Sequence, residues 1–167
     1  ASASEEVTEV YGYKDSSWAV GKIKSHAYQV EIGTTTYIKS IKVEDDGTDD
    51  LTDITWLTQV KDNTYKTELL GNLTSDEDAM KVETWTTNFG DTSDAHRVKG
   101  RAWQLDVVGD GSETRIKSEI FASGNPSGTY NYMKQLKVAS TDAVYGELGA
   151  SASEEVTEVY GYKDSSW

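Results

Sequence analysis

The chain contains no cysteine and a single proline, Pro126, in 167 residues. This length fits one globular domain with a sizeable hydrophobic core, and such a domain folds without a disulfide or a structural metal. The missing cysteines carry no information about the cellular compartment. They do exclude a thiol nucleophile from any proposed chemistry.

Basic residues are also scarce, with 16 Lys and Arg against 29 Asp and Glu and a formal net charge of −13. A surface this acidic repels nucleic acid and anionic membranes, so neither is an expected partner. No run of about 18 apolar residues is present, which predicts no membrane insertion. The chain begins without a charged and then apolar leader, so we expect a soluble protein whose export signal, if it had one, has been removed.

Catalytic signatures are missing as well, because His26 and His96 are the only histidines. No Ser-His-Asp signature is present, and the loop Gly109–Gly111 lacks the strand and helix that flank a phosphate-binding loop. His26 lies on the apolar face of an alternating segment and is predicted to be structural, whereas His96 is predicted to be solvated. We therefore expect a protein that is not an enzyme, although 29 acids always leave a glycosidase-like carboxylate pair as an alternative.

The strongest feature that is present is a perfect terminal repeat. Residues 1–18 and residues 150–167 both read ASASEEVTEVYGYKDSSW, at an offset of 150 − 1 = 149. Two segments inside one domain meet different neighbours and are driven toward different residues. The identity therefore indicates a tandem array cut with an overlap, a graft of one terminus onto the other, or a recent duplication. In each case the segment is expected to act where one unit meets the next.

A second, diverged repeat is predicted inside the chain from short similar segments. The offsets between them grow from 52 to 64 and 65 residues, and the loop 89–100 accounts for the difference. The matched segments are Tyr28–Ile32 with Met80–Thr84, Val43 and Asp46-Gly47 with Val107 and Asp110-Gly111, and Thr64-Tyr65 with Thr129-Tyr130.

Alternation of apolar and polar residues along the whole chain predicts β-strands separated by glycine- and asparagine-containing turns. We predict an all-β protein, an antiparallel sandwich or jelly roll of about 8–10 strands completed by a terminal strand in donor-strand fashion. One helical turn at most is expected, at 75–80. The alternating sets are Tyr28, Val30 and Ile32; Ile54, Trp56 and Val60; Tyr65, Thr67 and Leu69; Trp103, Leu105 and Val107; and Tyr130, Tyr132, Leu136 and Val138.

Clusters of carboxylates occur in the predicted turns. Calcium prefers six to eight oxygen ligands, which acidic loops with glycine can supply, and a cation would relieve the repulsion between like charges. A solvated acidic turn is the alternative, and no EF-hand spacing decides between the two. The predicted Ca²⁺ ligands are Glu44, Asp45, Asp46, Asp49, Asp50 and Asp53 in one hairpin loop, with Asp110 in a second.

Aromatic residues are abundant, with five Trp and ten Tyr. Trp56, Trp85 and Trp103 are predicted to lie in the core, because aromatic side chains favour strands and cross-strand pairs. Exposed Trp or Tyr could instead stack on sugar rings, which makes a lectin-like carbohydrate-binding module the alternative function. Asn72 begins a glycosylation sequon, which has meaning only in an exported protein.

The repeated segment is predicted to be a connector strand. We divide the chain into a first connector at 1–18, a β-sandwich body at 19–149 and a second connector at 150–167. A sheet that lacks one strand exposes unpaired backbone groups, and an incoming strand satisfies them. The predicted interface residues are Val7, Val10, Tyr11, Tyr13 and Trp18, with their counterparts Val156, Val159, Tyr160, Tyr162 and Trp167.

These features predict a non-enzymatic, extracellular or cell-surface subunit that binds copies of itself. It would build a fibre, sheath or tandem array by β-strand addition, with calcium as a clamp. The arrangement resembles, in architecture alone, extracellular fibre subunits held by donor-strand exchange and the calcium-stiffened repeats of large surface adhesins.

Overall fold

A computed structural model describes residues 6–14, 17, 19–91, 93, 97–152 and 155–167. Nine strands, two short α-helices and one 3-10 turn make up its regular structure. In chain order they are β1 (Thr8–Tyr13), the 3-10 turn (Val20–Lys22), β2 (Ile23–Ile32), β3 (Thr35–Val43), β4 (Asp49–Lys61), α1 (Lys66–Leu70), β5 (Met80–Trp85), β6 (Val98–Asp106), β7 (Glu113–Ala122), β8 (Asn125–Lys137), α2 (Ala143–Leu148) and β9 (Thr157–Tyr162).

The nine strands form one antiparallel sheet in which spatial order follows chain order from β1 to β9. This confirms the all-β prediction and the predicted number of strands. The sandwich or jelly roll is not shown, because the strands of the described part of the chain belong to this single sheet. The two copies of the repeated segment therefore supply the two edge strands, β1 and β9.

The order of elements occurs twice along the chain. Strands of 6, 10, 9 and 13 residues and a five-residue helix run from β1 to α1, and strands of 6, 9, 10 and 13 residues and a six-residue helix run from β5 to α2. The second copy of the repeated segment, β9, then begins a third round. An internal repeat was correctly expected, but its predicted offsets were wrong. The offset of 52 aligned β5 with β2, whereas by element order β5 corresponds to β1.

Both helices lie outside the positions predicted for helix. The segment around Tyr65 and Leu69 was predicted to be a strand, but Lys66–Leu70 is α1. Local hydrogen bonds begin it, because the Thr64 N–H donates to Asp62 Oδ1 at 2.9 Å and the Lys66 N–H donates to the Asn63 carbonyl at 3.1 Å. The helical turn predicted at 75–80 is wrong, since that stretch contains no helix and enters β5 at Met80.

The chain packs as two compact units, each assembled from several segments. The first contains Ala1–Lys61, Val82–Arg101 and Ile120–Ser127, and the second contains Asp62–Lys81, Ala102–Glu119 and Gly128–Trp167. In the first unit, the Phe89 ring is contacted edge-on by Tyr37, Trp56 and Trp85. The core of the second unit consists of Leu69, Ala79, Trp103, Leu105 and Val107.

The core prediction for the tryptophans is confirmed for Trp103, which is 3% exposed. Trp56 and Trp85 are half-buried around Phe89. Within the described residues, no helix has the length and apolar character needed to cross a membrane.

Candidate functional site

The first copy of the repeated segment pairs with β2 and contacts a buried histidine there. Tyr11 lies opposite His26 in the register, and the two rings stack with centroids 4.2 Å apart. His26 is 3% exposed, and its Nε2 and Nδ1 atoms lie 2.9 Å from Glu9 Oε1 and 2.8 Å from Asp49 Oδ2. The prediction that His26 has its hydrogen bonds satisfied is confirmed, and its purely structural role stays a prediction. Its partners include two residues of the first copy, Glu9 and Tyr11.

The Glu9 carboxylate accepts several side-chain hydrogen bonds in the contact between β1 and β2. Hydrogen bonds from Tyr28, Tyr11 and His26, in that order of size, hold the pKa of the Glu9 carboxyl below its usual value of 4.5. The Tyr11 hydroxyl donates to Glu9 Oε1 at 2.8 Å, and this bond raises the pKa of Tyr11 to about 12. The ionised carboxylate is therefore the form that fits the site.

We predict that β1 contributes less to stability in acid because Glu9 becomes protonated. A carboxyl whose pKa is lower in the folded state contributes stability that is present above its unfolded value and lost as the pH falls through the folded value. Melting temperatures of the parent and of Glu9→Gln should differ at about pH 6 and converge by about pH 2. Glu158→Gln is the matched control, since Glu158 lies opposite Leu136 and not beside a histidine. A Glu9→Gln difference that persisted unchanged in acid would contradict the assignment.

The second copy of the repeated segment pairs with β8. Tyr162 lies opposite Tyr132, and Tyr160 lies opposite Lys134. Beyond the strand end, the Val138 N–H donates to the Val156 carbonyl at 2.9 Å. The hydroxyl of Tyr145 in α2 accepts from the Val156 N–H at 3.2 Å and donates to the Val138 carbonyl at 3.4 Å, which ties the start of the second copy to α2.

The two copies have the same sequence, but each pairs with its neighbour through the opposite edge of the strand that this sequence forms. Alternate residues of an extended strand direct their backbone N–H and C=O groups to opposite sides. In the first copy the Lys14 N–H donates to the Lys22 carbonyl at 2.7 Å. The register shift between Gly12 and Tyr13 skips Lys24 of β2 and no residue of β1, so the alternation of β1 continues and its even-numbered positions face β2. In the second copy Val156, the counterpart of Val7, bonds to β8, so the positions that are odd-numbered in the first copy face β8.

Contacts of the shared glycine differ between the copies. At Gly12, an added Cβ would lie 2.2 Å from Ser25 Oγ of β2, so a side chain here would push that hydroxyl out of its present position. At Gly161, the same position in the second copy, no described atom lies within 4 Å. The close approach at this glycine thus occurs in the first copy and not in the second.

The terminal tryptophan of the second copy, Trp167, contacts side chains and backbone near β8 and α1. Trp167 is half-buried, and its Nε1–H donates to the Glu68 carbonyl at 2.8 Å. The Arg115 guanidinium lies over its ring at 5.2 Å, and the Tyr132 and Tyr162 rings meet it edge-on at 5.9 and 5.5 Å. Its counterpart Trp18 lies outside the described residues.

The predicted interface residues are partly exposed in the single chain, and their interface role stays a prediction. Val7 and Tyr11, predicted to face a groove, are 55% and 40% exposed, and Val10 on the opposite face is exposed as well. Val7 also lines a cleft together with Trp56 and Phe89. Tyr13, Val156 and Tyr162 are half-buried, whereas Val159 and Tyr160 are exposed.

The predicted calcium ligands do not all share one loop. The turn is limited to the stretch between Val43 and Asp49, so Asp49, Asp50 and Asp53 lie in β4. Asp46, Asp50 and Asp110 each accept hydrogen bonds from the hydroxyl-bearing residue two positions later, which lowers the pKa of these carboxyls.

Other carboxylates of this set have protein partners, since Asp49 bonds His26 and Glu44 pairs with Lys42 at 2.9 Å. Asp45 accepts a hydrogen bond from Lys14 through its carbonyl. Among the described residues, no group of three or more His, Cys, Asp or Glu side chains could hold a metal ion. Calcium binding stays a prediction.

The remaining predictions concern a glycosylation site, His96 and exposed aromatic residues. Asn72 is exposed in the turn that follows α1, and its glycosylation stays a prediction. His96 lies outside the described residues. Of the described aromatic side chains, the exposed ones are Tyr11 and Tyr160, one in each copy of the repeated segment. The glycan-binding alternative also stays a prediction.

Sequence reasoning missed a buried charged face on β7. Arg115, Lys117 and Glu119 are buried, whereas Ile120 is 70% exposed. Arg115 donates to the carbonyls of Leu69 and Leu70 at the end of α1, at 3.0 and 2.8 Å. The available signal was three charged residues spaced two apart, but such a pattern normally marks the solvent side of a strand.

Comparisons with protein-family models, with curated proteins and with solved structures found no match for this chain. Any functional conclusion therefore rests on the residues and contacts of the molecule itself.

Proposed function

We propose that this protein is a non-enzymatic, extracellular structural subunit that joins copies of itself end to end by β-strand addition. The repeated segment is the connector: its first copy, residues 1–18, completes the β8 edge of a neighbouring chain while remaining paired with β2 of its own. The observation that carries the proposal is that the two identical copies pair through opposite edges, one with β2 and the other with β8.

The connector sequence contains both the residues that contact β2 and the residues that contact β8. Gly12 approaches Ser25 closely beside β2, where Glu9 and Tyr11 also contact His26. The second copy uses Tyr162 and Trp167 beside β8. Because the sequences are identical, each copy carries both sets of residues. A strand held between β8 of one chain and β2 of the next would use both sets.

The chain contains an internal precedent for such a junction. By element order and length, β5 corresponds to the connector strands β1 and β9, β4 corresponds to β8, and β6 corresponds to β2. In the sheet, β5 lies between β4 and β6. The proposed order β8, connector, β2 across two chains repeats this arrangement, which supports a sheet that continues from subunit to subunit. Calcium, as a counterion for subunits of formal charge −13, belongs to this proposal as an optional clamp.

We test the proposal with a proline that removes the second copy from β8. In Tyr160→Pro the lost N–H is one that faces β8, so β9 should detach and open that edge to the first copy of another chain. Sedimentation velocity should then show species that grow with protein concentration. Val159→Pro is the matched control, because its lost N–H faces the open side of β9, and it should associate no more than the parent.

A second control separates specific addition from aggregation. Tyr11→Pro removes the corresponding N–H from the first copy, so the double variant Tyr11→Pro/Tyr160→Pro should have an open β8 edge and no matching strand to fill it. We expect it to remain small in sedimentation. The proposal would be contradicted by a monomeric Tyr160→Pro chain, or by a double variant that assembles equally well.

A further inference from the structure

The end of α1 has backbone carbonyls that need partners from elsewhere in the second unit. The last four C=O groups of a helix have no partner within it. Arg115, itself 6% exposed, donates to the Leu69 and Leu70 carbonyls, and the Trp167 indole donates to the Glu68 carbonyl. The tryptophan of the second copy therefore completes a polar site on the protein body.

This site also suits an indole ring in shape and charge. A guanidinium over an aromatic face is attractive, and edge-on aromatic pairs at 4.5–7 Å are favourable. Gly71 leaves the space that the ring occupies, since an added Cβ there would lie 3.3 Å from Trp167 Cδ1 and 3.2 Å from the Arg115 guanidinium. Next to the ring is a cleft of about 350 Å³ lined by Asn72, Leu73 and Ser166, among others.

We infer that this site, formed by the Glu68 carbonyl, Arg115 and Tyr132, is the anchor site for Trp18 of a neighbouring subunit. The inference rests on the proposed function and adds the residue that secures the junction. Position 18 is identical to position 167 within an identical 18-residue segment. When the first copy of another chain replaces the second copy on β8, its Trp18 takes the place of Trp167. An aromatic anchor with its N–H satisfied is the type of residue that dominates binding at interfaces.

The test uses the full chain in the Tyr160→Pro background, where the β8 edge is open. Adding Trp18→Ala should weaken association about tenfold or more in sedimentation velocity. Trp18→Phe, which keeps a ring over Arg115 but lacks the N–H, should have an intermediate effect. Trp167→Ala in the same background is the matched control, and its association should equal or exceed that of the background.

The outcomes distinguish the anchor from the junction. Association that is weakened by Trp18→Ala and not by Trp167→Ala supports both. Association that is equally strong with Trp18→Ala overturns the anchor site and leaves strand addition standing. A Tyr160→Pro chain that does not associate at all overturns both.

Discussion

Glu68→Ala should destabilise the protein by about 3 kcal/mol, because it leaves the buried Lys117 ammonium without its carboxylate. Lys117 is 4% exposed, and its Nζ lies 2.9 Å from both Glu68 carboxylate oxygens. Burial disfavours the charged form, but the hydrogen bond and the charge of Glu68 outweigh it and raise the pKa of Lys117. The ammonium also lies 3.7 and 4.1 Å from the ring centroids of Tyr65 and Tyr130.

The free energy of unfolding, measured by urea denaturation, checks this prediction. Glu68→Ala/Lys117→Met should recover most of the lost stability, since the double variant buries no unpaired charge. The Glu68 backbone carbonyl, and so its bond from Trp167, is unaffected by either change. A Glu68→Ala variant within about 0.5 kcal/mol of the parent would show that the ion pair contributes little.

Leu105→Ala should also destabilise strongly, by about 3 kcal/mol. Leu105 is 1% exposed in β6 and belongs to the core cluster with Leu69, Trp103 and Val107. Removing its side chain loses apolar burial and leaves a cavity that the surrounding residues fill only in part. For a chain of this length the loss corresponds to a fall in melting temperature of about 6–12 °C.

The matched control for the core is Leu51→Ala, because Leu51 is 67% exposed in β4. We expect its effect to stay within about 0.5 kcal/mol. Calorimetry on the two variants checks both values. Equal effects at the two positions would contradict the assignment of the core to the cluster around Leu105.

The strands were predictable because alternation survives in the sequence, as in Tyr28–Ile32 and Trp103–Val107. Alternation shows that a strand has two different faces, but not whether a second sheet or solvent covers each of them. The prediction of a sandwich assumed that a second sheet covers one face, which the sequence does not show. In β7 the rule also fails, because Arg115 and Lys117 turn inward to partners on α1 that are distant in sequence.

The helices were missed because both are shorter than two turns and lack a helical hydrophobic period. Their signals were at their ends. Asp142 caps α2 by accepting from the Val144 N–H at 3.0 Å, and Gly149 ends it in the left-handed region at φ 69°. Before α1, the Asp62 side chain accepts from the Thr64 N–H and the Asn63 backbone carbonyl accepts from the Lys66 N–H. These local hydrogen bonds outweigh the alternation of Tyr65, Thr67 and Leu69.

The candidate site was predictable in part. The exact terminal repeat indicated a connector strand, and both copies are strands at the edges of the sheet. The partners of each copy were not predictable from the sequence, because His26, Glu68 and Arg115 are brought to the connector by pairing and packing. No local spacing links them to it.

Cysteine cross-linking between chains tests the proposed junction most directly, since the chain has no cysteine of its own. Gln135 lies opposite Val159, the counterpart of Val10, and opposite Cβ atoms on paired strands are about 4.5–5.5 Å apart, close enough for a disulfide with small adjustments. In the Tyr160→Pro background, Val10→Cys/Gln135→Cys should give a ladder of disulfide-linked multimers on a non-reducing gel, whereas Thr8→Cys/Gln135→Cys, displaced by two residues, should not. No ladder, or equal ladders from both pairs, would contradict the account.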